Sequence, residues 1–115
     1  MTNIELIQEW YKNQCNGDWE HEYGVKIETL DNPGWIVSID LVDPFLQGFE
    51  YQYSKKGEED WLELVSDGEV FRGVGDFLKL DEILDKFNTT LEEKLEAIKE
   101  EFKPKIALRY SDMSE

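Results

Sequence analysis

The chain has one cysteine, one histidine and three prolines among its 115 residues. A single cysteine excludes an intrachain disulfide, which favours a reducing compartment. No apolar run approaches the ~20 residues that a membrane-spanning helix requires. The first residues also lack the basic and apolar segments that are typical of a secretion signal. We therefore expect a cytoplasmic protein.

Basic residues are scarce as well. The sequence has 12 Lys and Arg against 27 Asp and Glu, which gives a net charge of −15. Such a surface repels nucleic-acid phosphates and anionic lipid headgroups, so we expect neither nucleic acid nor membrane as a partner. It attracts a basic protein and accelerates their encounter. Solubility alone is the competing explanation for the charge.

Hydrophobic and aromatic residues are plentiful, at 40% and 13% of the chain. At this length they suffice for one core, and we expect a single domain over residues 1–115. Apolar periodicity predicts a helix over residues 3–14 with Asn3 as its N-cap, followed by a loop over residues 16–24. Alternating apolar and polar residues then predict five strands. These span residues 25–30, 35–42, 49–54, 61–65 and 69–74.

The turns between these strands are short, which predicts an antiparallel meander. The first, Asp31-Asn32-Pro33-Gly34, has proline at a position of preset φ and glycine where a positive φ is required. The aromatic residues of the third strand, Phe49, Tyr51 and Tyr53, are candidates for a sheet edge that pairs with a second copy.

Two further helices are predicted near the C-terminus. One covers residues 80–87, and the second begins at Thr90, which is spaced from Glu93 as in a capping box, and ends at Lys103-Pro104. Residues 103–115 are predicted to form a partly loose tail. The fold class is therefore α+β, with an N-terminal helix, a five-stranded antiparallel meander sheet and C-terminal helices packed on that sheet.

The segment from Gln14 to Trp35 concentrates aromatic residues, turn-forming residues and carboxylates. This composition favours a rigid binding surface over a catalytic site. Trp19 lies between two acidic residues in the predicted loop and is expected to be exposed, as tryptophan at interface hot spots is. Trp35 is expected to be core. The predicted partner-binding residues are Asp18, Trp19, Glu20, His21, Glu22, Tyr23 and Asp31.

Catalytic and ligand sites are weaker alternatives. Cys15 and His21 are a possible nucleophile and base, but the residues around them are carboxylates rather than the cations that activate a thiol, and Cys15 is better interpreted as a buried small residue. The Asp18–Glu22 cluster has carboxylates and one imidazole that suit Mg²⁺, Ca²⁺ or Mn²⁺ more than Zn²⁺, without the spacing of an EF-hand. Gly73-Val74-Gly75 lacks the third glycine of a dinucleotide loop, and we expect Gly73 and Gly75 to let the chain leave the sheet tightly. We therefore expect no catalytic residue, metal or cofactor.

The residue pattern of the same segment is distinctive. Trp10-Tyr11 precedes Gln-Cys-Asn-Gly-Asp-Trp-Glu-His, and Tyr-Gly-Val and Leu-Asp-Asn-Pro-Gly-Trp follow. This pattern resembles the immunity protein 53 family of bacterial polymorphic toxin systems. The resemblance implies an α+β, non-enzymatic protein that neutralises a toxin by stoichiometric binding, and the acidic charge suits a basic, nuclease-type toxin.

Two other functions stay open at the level of sequence. One is a small metal-dependent enzyme, and the other is a regulatory binding domain, each using the Asp18–Glu22 cluster. The oligomeric state is also open between a monomer and a weak dimer.

Overall fold

The computed structural model describes residues 1–42 and 50–113, and it describes side-chain environments through residue 96. An α+β fold with one antiparallel sheet is confirmed. The elements are α1 (Asn3–Gln14), α2 (Trp19–Glu22), β1 (Val25–Leu30), β2 (Gly34–Asp40), β3 (Glu50–Lys55), β4 (Leu62–Asp67), β5 (Val70–Gly75) and α3 (Leu80–Met113). In the described residues, no helix has the length and hydropathy needed to cross a membrane.

Helix α1 has the predicted bounds, but its N-cap is Thr2 rather than Asn3. The N–H of Glu5 donates to Thr2 Oγ1 at 3.1 Å, and the N–H of Thr2 donates to Glu5 Oε1 at 3.2 Å, which forms a capping box. Asn3 instead joins α1 to α3, since its carbonyl accepts a 3.1 Å bond from Asn88 Nδ2. Ile7 and Trp10 are the buried residues of this helix.

The β1–β2 hairpin is confirmed, with Ile27 opposite Val37. The positive φ expected at Gly34 is wrong, because Gly17 and Gly68 are the described glycines with positive φ. Gly34 is the first residue of β2, and a Cβ there would clash with the carbonyl oxygen of Gly75. Glycine is therefore required at this position by the close approach of two strands.

The sheet has the order β1-β2-β5-β4-β3, in which every neighbouring pair is antiparallel. A simple meander would place β3 beside β2, whereas β5 occupies that position. Polarity explains the difference. Phe71 in β5 is fully buried and suits a central strand, while the exposed Gln52 and Ser54 of β3 suit an edge. The predicted edge position of β3 is thus confirmed for Tyr51 and Tyr53, and Phe49 lies outside the described residues.

The C-terminal part forms one helix, α3, where the sequence predicts two helices and a loose tail. The expected restart at Asn88–Thr90 is wrong because the buried stripe of Ile83, Phe87 and Leu91 continues across it. The expected stop at Lys103-Pro104 is wrong as well, since the helix extends to Met113.

The helices cover one face of the sheet. Helix α3 packs on β2 and β5, and α1 packs on α3. Gly73 lies at this contact, where an added Cβ would approach Ile83 Cγ2 to 2.5 Å and Leu64 Cδ2 to 2.8 Å. The Gly73-Val74-Gly75 sequence is therefore part of β5 and allows the helix to approach the sheet closely. The buried core consists of Ile7, Trp10, Trp19, Val37, Ile39, Leu41, Leu62, Leu64, Phe71, Ile83, Leu84, Phe87 and Leu91.

The close packing at Gly73 gives a stability prediction. We expect Gly73→Ala to lower the free energy of unfolding by about 1–3 kcal/mol, because the methyl group forces Ile83 or Leu64 to move. Gly24→Ala is the matched control, since a Cβ there meets no atom within 4 Å. Its effect should stay below about 1 kcal/mol. Urea denaturation measures both, and equal effects would contradict this packing.

Candidate functional site

The segment between α1 and β1 is a fixed corner rather than a plain loop. It contains the four-residue helix α2, which the sequence analysis did not predict. Asn16 Oδ1 accepts hydrogen bonds from the N–H groups of Asp18 and Trp19, both at 2.9 Å. Each such bond from a side chain to the backbone replaces a bond to water and fixes local dihedral angles. We call residues 16–24 the α2 corner.

Glu20 is the second residue that fixes the α2 corner. Its carboxylate accepts from the N–H of Asn16 at 3.0 Å and from the N–H of Gly17 at 2.9 Å. Backbone N–H groups, first its own and then those of Gly17 and Asn16, hold the pKa of Glu20 below its usual value despite the opposing effect of desolvation. The carboxylate that the sequence assigned to a partner thus has an internal role.

Trp19 is 6% exposed, so the expected exposure of this residue is wrong. Its Nε1 donates to the carbonyl of Val42 at 2.6 Å, and its ring meets Trp10 edge to face at a centroid distance of 5.9 Å. A short helix turns the indole inward, although the charged neighbours in the sequence indicate a surface position. The buried Trp19 therefore fixes the α2 corner to the hydrophobic core.

An aromatic chain continues from Trp10 into the core. Trp10 packs on Phe87 of α3 at 5.3 Å, and Phe87 packs on Phe71 of β5 at 5.1 Å. The chain links all three helices to the centre of the sheet. Trp10 Nε1 is buried without a hydrogen-bond partner among the described residues, a cost that the surrounding aromatic packing must offset.

The other predicted partner residues lie in two places. Asp18, His21 and Glu22 are exposed on the α2 corner, and Tyr23 is half-buried beside them. Asp31 is exposed at the opposite end of β1, a six-residue strand that spans about 17 Å. The structure brings the first four residues together and separates Asp31 from them.

The α2 corner borders a groove of about 400 Å³. Val42 is 41% exposed and supplies apolar surface, and the exposed carboxylates of Asp18 and Glu22 supply negative charge. This combination suits the stem and the charged head of a partner lysine or arginine. The groove is lined by Asn16, Asp18, Trp19, His21, Glu22, Tyr23 and Val42.

Cys15 directly precedes the α2 corner. Cys15 is exposed as the C-cap of α1, so its expected burial is wrong, and its Sγ donates to the carbonyl of Tyr11 at 3.3 Å. Among the described residues, no group of three His, Cys, Asp or Glu side chains is arranged to hold a metal ion.

A second titratable cluster was missed by the sequence analysis. Lys79 Nζ lies 2.5 Å from Asp60 Oδ1 and 3.0 Å from Asp76 Oδ2, and Lys55 Nζ lies 3.2 Å from Asp60 Oδ2. Asp76 and Lys79 are 3% and 9% exposed. Only the tertiary fold brings these residues together, since they come from the end of β3, the β3–β4 connection and the β5–α3 connection.

Hydrogen bonds satisfy this cluster. Desolvation raises the pKa of Asp76, but bonds from the N–H of Leu78, from Lys79 and from the N–H of Trp61 outweigh it, so the pKa of Asp76 is lowered. Asp60 and then Asp76 raise the pKa of Lys79. The paired charges join the β3–β4 connection to the start of α3, which is a structural role.

Comparison with known proteins identifies one family. The family model described as immunity protein 53 matches residues 4–92, which cover α1 from Ile4 onward, α2, the five described strands and the first part of α3. No curated protein matches the chain. No solved structure matches it either.

The buried cluster predicts a pH dependence of stability. A lowered pKa for Asp76 stabilises the fold above about pH 4, the ordinary range for aspartate, and this contribution is lost as pH falls through the lower folded value. Asp76→Asn should therefore lower the urea midpoint at pH 7, and its deficit should shrink progressively below about pH 4.

The exposed Asp85 of α3 supplies the control for this experiment. Asp85→Asn should leave the midpoint nearly unchanged at pH 7. A deficit for Asp76→Asn that stays constant between pH 7 and pH 2.5 would contradict a charge-dependent contribution.

Proposed function

The chain belongs to the immunity protein 53 family, and we propose that it protects its cell by binding a cognate protein toxin in a stoichiometric complex. The observation that carries this proposal is the α2 corner, where exposed carboxylates surround a groove on a fixed base. Trp19 and Glu20 supply the base, so little conformational entropy is lost when a partner binds there. Such preorganisation is what a tight inhibitor needs.

The proposed toxin is basic. A net charge of −15 accelerates the approach of a cationic protein, and Asp18 and Glu22 supply exposed carboxylates where arginine or lysine side chains would arrive. A nuclease has the required charge because it must hold a polyanionic substrate. In this proposal, the immunity protein covers the substrate-binding surface of the toxin and thereby blocks the reaction.

The proposal assigns no catalytic step to this chain. Neutralisation requires only that the complex outlasts the encounter of the toxin with its substrate, so affinity and on-rate are the relevant quantities. We also propose that the complex forms in the cytoplasm, where the substrate of a nuclease lies. The single cysteine, Cys15, is compatible with that reducing compartment.

Charge reversal at the α2 corner tests this function. The double variant Asp18→Lys/Glu22→Lys should slow association with the toxin domain encoded beside the immunity gene by about tenfold at low salt, and it should flatten the salt dependence of the rate. Stopped-flow fluorescence measures both quantities. Thermal unfolding should be unchanged, because both side chains are exposed.

The matched control is Glu92→Lys/Glu93→Lys on the exposed surface of α3. Each double variant replaces two acidic residues by lysine, so both change the net charge from −15 to −11. The control should slow association much less. Equal slowing would show that total charge, rather than the α2 corner, guides the toxin, and a toxin that binds neither variant nor wild type would contradict the proposed function itself.

A further inference from the structure

Strand β1 is an outer strand of the described sheet. The hydrogen bonds of β2 show which backbone groups of β1 point toward β2 and which point away from it. The N–H of Asp40 donates to the carbonyl of Gly24 at 3.1 Å, and the N–H of Leu41 donates to the carbonyl of Glu69 at 2.7 Å. Even-numbered residues of β2 therefore bond to β1, and odd-numbered residues bond to β5. By the alternation of an antiparallel ladder, Val25, Ile27 and Thr29 direct their N–H and C=O groups away from β2.

The side chains of these same residues face the helical layer without being fully covered by it. Ile27 pairs with the buried Val37 but is itself 42% exposed, and Thr29 is also exposed. At the Val25 end of β1, a groove of about 310 Å³ lies between α1 and the strand. The groove is lined by Ile7, Gln8, Tyr11, Gly24 and Val25. An outer strand with unpaired backbone groups thus lies next to an apolar groove.

Negative charge lies at both ends of β1. Asp18 and Glu22 precede the strand on the α2 corner, and Asp31 follows it in the turn, with all three exposed. The predicted partner residues that the fold separates therefore flank one strand. A partner that lies along β1 would meet carboxylates at both of its ends.

We infer that the toxin, if it binds as proposed above, adds a strand to the outer edge of β1. Every second side chain of the added strand lies on the face toward the groove between α1 and β1, and these side chains are apolar. Basic residues at the two ends of the added strand meet Asp18 and Glu22 at one end of β1 and Asp31 at the other end. Backbone bonds supply affinity, while the groove and the charged ends supply specificity.

Charge distinguishes this occupant from a second copy of the chain. Antiparallel pairing of two β1 strands would bring Asp31 of one copy to the acidic corner of the other and would join two chains of net charge −15. The other outer strand, β3, is less suitable for a basic partner. It ends at Lys55, and Lys86 Nζ lies 4.5 Å from the ring centroid of Tyr53.

Residue-resolved amide exchange by NMR tests the inference on the unaltered protein. In the free protein, the amides of Val25, Ile27 and Thr29 should exchange rapidly, whereas those of Lys26 and Glu28 should be protected. In the complex with the toxin domain encoded beside the immunity gene, the first three should slow by at least about tenfold, because each gains a hydrogen bond.

A pair of matched substitutions adds an independent readout. Ile27→Arg should weaken toxin binding by about tenfold, since it places a cation on β1 next to the added strand of a basic partner. Val65→Arg is the control, because Val65 is also a β-branched strand residue and is 43% exposed, but it lies on the opposite face of the sheet. The control should weaken binding by less than about twofold.

The outcomes separate this inference from the proposed function. A stable complex in which the amides of Val25, Ile27 and Thr29 still exchange rapidly would overturn strand addition and leave toxin binding intact. Failure of the wild-type protein to form any complex would overturn both. If Val65→Arg weakens binding and Ile27→Arg does not, the toxin docks on the open face of the sheet and the inference is wrong.

Discussion

The edge-to-face contact between Trp10 and Trp19 is the interaction on which the rest of the structure depends. It joins α1 to α2, and through Phe87 it connects both to α3 and the sheet. Such a pair contributes about 0.5–1.5 kcal/mol beyond the burial of its area. Its larger effect is geometric. With the indole of Trp19 turned inward, Asp18 and Glu22 remain on the outer surface of the α2 corner, where a partner can reach them.

The excess of acidic residues is the second constraint. The fold buries one carboxylate in an ion pair and leaves others exposed to solvent. Asp76 is buried, where it forms an ion pair with Lys79 and accepts hydrogen bonds from the N–H groups of Trp61 and Leu78. Asp18, Glu22 and Asp31 stay exposed to solvent, where their charge acts at long range. Unpaired acidic residues repel one another and reduce stability. We infer that the apolar core and the buried ion pair offset this cost, while the surface keeps the charge that attracts a toxin.

The elements that local patterns determine were predicted from the sequence. Helix α1 and the β1–β2 hairpin have nearly the predicted bounds, because apolar periodicity and a Pro-Gly turn act over a few residues. The order of the strands was not predictable in this way, since the choice of β5 over β3 as the neighbour of β2 depends on burial in the whole sheet. The continuity of α3 through Asn88 depends likewise on the burial of Ile83, Phe87 and Leu91 against the rest of the fold.

The candidate site also has features that follow from local sequence patterns and features that depend on three-dimensional contacts. The sequence predicted a partner-binding segment within residues 14–35, and the family match spans these residues. It misjudged Trp19, because acidic neighbours indicate exposure unless a helical turn directs the side chain inward. It also treated Glu20 and Glu22 alike, although Glu20 bonds to the backbone of the α2 corner and Glu22 is exposed. Only three-dimensional contacts distinguish two such carboxylates.

The most direct test of the account is isothermal titration calorimetry with the proposed partner, a toxin domain from a neighbouring gene, at low and at moderate salt. The account predicts one toxin bound per chain and an affinity that falls as salt screens the acidic surface. An absence of binding at both salt concentrations would contradict the immunity function. A tight complex whose affinity is insensitive to salt would contradict the claim that negative charge recognises the toxin.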